Sequence, residues 1–269
     1  MAEKLSMFVD LTLCVGCRGC QTACKSWNQL PGEKTVYYSG LQSMPDTTPH
    51  TYNLIKFKEV EENGQVQWFF FKRQCMHCTE AACIKACPEN ALSHTETGAV
   101  VRDYDKCIGC GYCAKYCPFG IPKVDEGVQK MGKCTLCFDR VAEGLTPACS
   151  KTCSPGAVQF GERSQLVSKA KARLEEVKQL YPEANLYGLD EQFLGGTNVF
   201  YLLPKAPEFY DLPKQPSVPA ILTTWKDVIQ PIGKALPLAA LGAVAVSAFL
   251  TRIRENSHSV DKGGKSHGA

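Results

Sequence analysis

Sixteen cysteines in four tight clusters dominate this 269-residue chain. The first cluster is Cys14, Cys17, Cys20 and Cys24, with two, two and three residues between successive cysteines. The second, Cys75, Cys78, Cys83 and Cys87, widens the middle gap to four residues. The third, Cys107, Cys110, Cys113 and Cys117, repeats the first spacing, and the fourth, Cys134, Cys137, Cys149 and Cys153, stretches the middle gap to eleven. Pro88 and Pro118 directly follow the second and third runs, while Pro155 is displaced by one residue after the fourth. Such a chain must organise itself around whatever the sulfurs bind.

A disulfide framework belongs mostly to small secreted domains, and this chain is too long and its cysteines too tightly grouped for that. Structural zinc takes two well-separated ligand pairs around one ion. A 2-2-3 run puts the third and fourth cysteines too close for that layout, whereas it matches the bacterial ferredoxin pattern of a 4Fe–4S protein. Three closely spaced thiolates cap one cube and the fourth reaches a second, so such motifs work in pairs. Ile108-Gly109 and Gly111 in the third run are small enough to let backbone amides approach the inorganic sulfides. Those hydrogen bonds help to set redox potential. His77 lies inside the second run at a non-ligand position and reads as a packing or surface residue; His50 and His94 read as incidental. The sixteen cysteines are therefore expected to be iron ligands rather than nucleophiles. No carboxylate pair, Ser–His arrangement or phosphate-binding glycine loop supplies a catalytic centre.

The formal charge of +3 counts the thiols as neutral. Sixteen thiolates and four oxidised cores bring the loaded chain to about −5. With Lys and Arg scattered rather than striped, nucleic acid is not an expected partner. Residues 1–13 carry no Arg pair and no long apolar run, so no signal peptide is read there. Met7, Val9, Leu11 and Leu13 alternate as a strand leading into the first motif. Residues 52–60 and 66–71 flank Glu61-Glu62-Asn63-Gly64 as a hairpin. Residues 164–180 space Leu166, Val167, Ala170, Leu174, Val177 and Leu180 as an amphipathic helix ended by Pro182. Gly195-Gly196-Thr197 leads into a strand at 198–203.

Five prolines between 204 and 219 read as an extended linker. Seventeen uncharged residues follow at 235–251, the short end of a transmembrane helix. Pro231 and Ile232 extend it past Lys234, which can snorkel, and Trp225 stands where an interfacial aromatic would. Ala239, Ala243 and Ser247 are spaced for close packing against a partner helix. Arg252, Arg254, Lys262 and Lys265 follow the span, against Lys226 and Lys234 before it, which favours a cytoplasmic C-terminus. The tail at 253–269 reads as flexible.

The chain resembles the four-cluster iron–sulfur subunits of molybdopterin oxidoreductase complexes, and within them the β subunit of membrane-bound respiratory formate dehydrogenase. The resemblance rests on Cys75-Met76-His77-Cys78, Cys107-Ile108-Gly109-Cys110-Gly111-Tyr112-Cys113 and Lys133-Cys134-Thr135-Leu136-Cys137, then on Gly195-Gly196-Thr197, Leu212-Pro213-Lys214, Trp225-Lys226 and the terminal apolar segment. It implies an α+β fold of two ferredoxin-like double-cluster domains built from interleaved segments, plus one C-terminal transmembrane helix. One domain would comprise residues 1–74 with 134–203, the other 75–133, followed by a linker at 204–230, the span at 231–252 and the tail.

By the same resemblance, Cys14, Cys17, Cys20 and Cys153 hold one cluster, and Cys134, Cys137, Cys149 and Cys24 a second. Cys75, Cys78, Cys83 and Cys117 hold a third, and Cys107, Cys110, Cys113 and Cys87 the fourth. Spacing alone leaves open a pairing of the third motif with the fourth, since sixteen residues separate them. In relatives with a 3Fe–4S cluster a ligand of the third motif is replaced; Cys110 is intact, so four complete 4Fe–4S clusters are expected. The implied role is electron relay from a molybdopterin-containing, formate-oxidising subunit carrying molybdenum or tungsten to a membrane cytochrome b-type, quinone-reducing subunit. The cluster domain would be periplasmic, the chain a single-pass protein of the inner membrane, exported with a partner that bears a twin-Arg signal. An equivalent subunit of a membrane hydrogenase, or a free polyferredoxin, are the competing readings.

Overall fold

The computed structural model describes residues 4–34, 38, 42–62, 64–230, 232, 244 and 246–251. It divides into two units, Met1–Pro219 and Ala220–Ala269. All sixteen cysteines lie in the first.

The first unit is built on β1 (Leu5–Asp10), α1 (Gly19–Trp27), β2 (Leu54–Glu62), β3 (Gln65–Arg73), α2 (Ala82–Ala86), β4 (Leu92–His94), β5 (Val100–Arg102), α3 (Tyr112–Tyr116), β6 (Lys123–Asp125), β7 (Lys130–Gly132), α4 (Phe138–Ala142), α5 (Ala148–Lys151), β8 (Val158–Glu162), α6 (Arg163–Lys178), β9 (Asn185–Tyr187) and β10 (Val199–Leu203). A four-stranded sheet in the order β8-β1-β10-β9 ties the ends of this unit together. β1 runs parallel to β10 and antiparallel to β8.

The alternation in β1 divides its side chains between two faces. Phe8 stacks on Phe200 with ring centroids 5.2 Å apart, and with Leu202 this face packs under α6 through Leu166, Ala170 and Val177. That spacing along α6 is the apolar stripe of an amphipathic helix. The opposite face presents Met7, Val9, Val199, Tyr201 and Leu203 to a core that includes Cys20, Cys75, Cys134 and Cys149. The sheet is thus a partition between one helix and the cysteines. Both of its faces are covered, so Phe8, Ser6 and Asp10 are buried along with the odd-numbered residues of the sequence pattern.

The expected hairpin is β2–β3, paired from Leu54↔Arg73 out to Glu62↔Gln65. Its turn is two residues long, with Gly64 at φ 75 and Asn63 outside the described residues. Two smaller hairpins, β4–β5 and β6–β7, follow the second and third motifs. The β4–β5 hairpin shares a small core of its own with Ala81, Cys83, Ala91, Cys107, Cys113 and Met131.

The Pro-rich stretch departs from an extended linker. Pro207–Tyr210 forms a 3-10 turn, and Tyr210 and Leu212 are buried. Phe71 packs on Tyr210 at 5.5 Å and Phe69 on Phe209 at 5.2 Å. Aromatic burial fixes what proline composition alone would leave loose. Ala220–Thr223 and Thr224–Ile229 in the second unit are helical, so the linker reading fails there too. The apolar span expected at 231–252 lies largely outside the described residues; 232, 244 and 246–251 are helical. Among the described residues no helix is long and apolar enough to cross a membrane.

Candidate metal centres

Each cysteine run opens with the same backbone device. The residue just before the second cysteine has a left-handed backbone in all four: Gly16 (φ 66), His77 (φ 49), Gly109 (φ 68) and Leu136 (φ 58). This turns the chain so that successive N–H groups line a concave surface suited to anionic sulfur. The amides of His77 and Leu136 donate to the sulfurs of Cys75 and Cys134 at 3.5 and 3.4 Å. Gly16 donates in the same way to Cys14.

The third cysteine of each run then enters a helix: Cys20 in α1, Cys83 in α2, Cys113 in α3 and Cys149 in α5. The last cysteines of the later runs sit just past these helices and accept from backbone amides at or just before the next strand. Ala91 donates to Cys87 at 3.2 Å and Val158 to Cys153 at 3.3 Å, while Ile121 donates to Cys117. The donor lies four residues on in two cases and five in the fourth run, where the proline is also shifted by one.

The sulfurs come together across motifs. Cys14, Cys17, Cys20 and Cys153 line one cavity, walled by Val9, Ile55 and Val158. Cys87, Cys107, Cys110 and Cys113 line another. Burial pushes the Cys83 thiol up to about 12, with Cys75 and Cys117 adding to the rise; Cys78 is raised too, again by burial and then by Cys75, Cys117 and Cys83. Burial likewise takes Cys137 to about 12 and Cys24 to about 11, and Cys149 raises both. Cys134, fully buried, is raised by burial and by Cys24. Two cavities are thus each lined by three cysteines of one run and one of another, and the remaining cysteines raise one another's pKa across runs in the same way.

Electrostatic influence also passes between cysteines of different cavities and runs. Cys149 acts on Cys20, Cys75 on Cys134, and Cys113 on Cys83. Cys17 and Cys110, each lining a different cavity, are the two exposed cysteines. Among the described residues, no three His, Cys, Asp or Glu side chains converge on a single-ion site. Four sulfurs spread around an apolar cavity suit a cube of irons rather than one ion. Buried thiols disfavour ionisation, and the positive core of a cluster reverses that preference.

Two buried lysines escaped the sequence reading. Lys72 on β3 is 1% exposed and lines the cavity of Cys14, Cys17, Cys20 and Cys153. Burial would lower its pKa, yet Cys149, Cys20, Tyr201 and Cys134 raise it above the ordinary lysine value. Lys133, 4% exposed, donates to the carbonyls of Val100 and of Cys134, the latter at 2.9 Å. His77 is completely buried, which makes it a packing residue rather than a surface one. Its Nδ1 accepts from the Val100 amide at 2.9 Å, and burial holds its pKa well below the usual value. Gly195-Gly196-Thr197 has a structural task. Gly196 and Leu194 carbonyls accept from Thr79 and Glu80 at 3.0 and 2.7 Å, and Asn198 and Val199 donate to His77 and Met76. The segment is a splint along the second motif.

Two family profiles, each described as a 4Fe-4S dicluster domain, match residues 13–91 and 66–163. With sixteen cysteines in four groups, this chain is an iron–sulfur protein of the dicluster class that carries four 4Fe–4S clusters. It is 39% identical to the formate dehydrogenase iron–sulfur subunit of Haemophilus influenzae, over 92% of this chain and 80% of that protein. It is 36% identical to the nitrate-inducible formate dehydrogenase iron–sulfur subunit of Escherichia coli K12, over 92% and 83%. The hydrogenase-2 operon protein HybA of Escherichia coli O157:H7 is 33% identical, over 98% and 88%. The chain belongs to the family of formate dehydrogenase iron–sulfur subunits.

Proposed function

We propose that this chain is the electron-relay subunit of a formate dehydrogenase, passing electrons in sequence through its four cysteine groups. The observation that carries this reading is that Cys17 and Cys110, the two exposed cysteines, line two separate cysteine-walled cavities, as the entry and exit of a relay would. When bound, a 4Fe–4S cluster takes up and gives back one electron at a time. The ligand sets we assign are Cys14, Cys17, Cys20 and Cys153; Cys24, Cys134, Cys137 and Cys149; Cys75, Cys78, Cys83 and Cys117; and Cys87, Cys107, Cys110 and Cys113. They divide the chain into one double-cluster half from residues 1–74 and 134–203 and another from 75–133. Apolar side chains stand exposed near each end, Val15 by Cys17 and Ile108 and Tyr112 by Cys110, as sites of partner contact require.

On this reading, electrons enter at the Cys17 end from a molybdopterin-containing subunit that oxidises formate. They leave at the Cys110 end to a cytochrome b-type subunit in the membrane. The second unit anchors the chain: Val246, Phe249 and Leu250 are exposed on its helix, as lipid-facing side chains would be. Charge on either side of residues 235–251 favours a C-terminus in the cytoplasm and a cluster domain outside.

Substituting Cys110→Ser in the assembled complex tests the relay. Formate oxidation with an artificial dye at the partner should persist within about twofold, while quinone reduction falls at least tenfold, about 1.4 kcal/mol in effective barrier. Equal loss of both activities in an assembled complex would refute a purely relaying role.

A further inference from the structure

Lys72 is a cation in the wrong surroundings for its type. Isolated buried charges cost several kcal/mol even after relaxation, and lysine is almost never fully buried unless paired. Yet Lys72 is 1% exposed, and among the described residues no carboxylate forms an ion pair with it. Its ammonium donates to Gln74 Oε1, a neutral acceptor. Its own carbonyl accepts from Tyr201 at 2.8 Å, which pins β3 to the central sheet. Lys72 lines the cavity of Cys14, Cys17, Cys20 and Cys153, and acts electrostatically on Cys24 and Cys134 of the adjoining group. It stands at the junction of these two groups.

Resting on the ligand sets assigned above, we propose that Lys72 is a potential-setting residue whose buried positive charge favours the reduced state of both flanking cysteine-held clusters. Four thiolates around an oxidised core carry a charge of roughly −2, and one-electron reduction makes it roughly −3. A fixed cation in a low-dielectric interior stabilises the more negative state more strongly. The electron comes from the upstream donor, and the lysine neither gains nor loses a proton. Lys133 makes a useful contrast, since its ammonium is tied to two backbone carbonyls at the next junction.

The test is an EPR-monitored redox titration of the anaerobically purified full chain, with iron quantified, for wild type, Lys72→Met and Lys72→Arg. Lys72→Met should lower two of the four midpoint potentials, each by about a tenfold fall in the reduced-to-oxidised ratio at fixed ambient potential, or 59 mV for one electron. Lys72→Arg should stay within about twofold of wild type. Four unchanged potentials in an iron-replete Lys72→Met protein would overturn the proposal, as would an equal shift in Lys72→Arg. Loss of iron from both variants would also overturn it, by assigning Lys72 to cluster assembly. An iron-poor wild-type chain would instead refute the ligand sets themselves.

Discussion

Gly109 shows how closely the residue scale is specified. Its φ is 68, and a Cβ there would run into the backbone carbonyl of Gln129. The left-handed conformation alone costs an L-residue about 1–2 kcal/mol, and the clash is with main chain, which cannot rotate away. Gly109→Ala is therefore expected to loosen the group of Cys87, Cys107, Cys110 and Cys113, dropping iron from about sixteen to about twelve per chain while the other groups stay loaded. Iron analysis beside EPR of the reduced protein checks this, and an unchanged iron content would remove the steric argument. The sequence made the cysteines and this glycine legible. It hid the same backbone turn at His77 and Leu136, because residue type there gives no hint of a positive φ. It hid Lys72 and Lys133 as well, since a lysine's burial depends on what the fold brings around it, not on its neighbours in the chain.

At the scale of elements, local patterns carried further than distant pairings. The β2–β3 hairpin and α6 were written in adjacent residues, as a glycine turn and an apolar stripe. The pairing of β1 with β10 joins Met7 to Val199, and no local period announces it. The stretch after β10 was misleading because proline content suggested a tether, whereas Phe209, Tyr210 and Leu212 carry enough apolar surface to pin it down. This sets a natural cut. A chain ending at Pro219 keeps the whole first unit and every cysteine. It should bind about sixteen irons, four per cluster, and appear in the soluble fraction after lysis, while the full chain is expected to sediment with membranes. Loss of iron on truncation would tie the second unit to the stability of the first; sedimentation of the truncated chain would assign its anchoring elsewhere.

At the scale of the molecule, the bias of positive charge beyond residue 251 sets an expected topology. Protease added to intact spheroplasts should digest the cysteine-bearing unit and spare a tag placed after Ala269. A protected cysteine unit in intact cells would reverse the orientation. The interleaving of the four motifs has a further consequence, for the order in which the protein is made. With the ligand sets proposed above, residues 75–117 contain every sulfur of two groups, so both can close as soon as that stretch has left the ribosome. The sulfurs of the first motif wait for Cys149 and Cys153, and β1 waits longer still, for a partner that ends at Leu203. Three-quarters of the chain is thus synthesised before its first strand can be paired on both sides. Until Cys153 has been made, Cys14, Cys17, Cys20 and Cys24 remain incomplete sites, open to oxygen and to the wrong metal, and they are the ones most in need of a chaperone during translation.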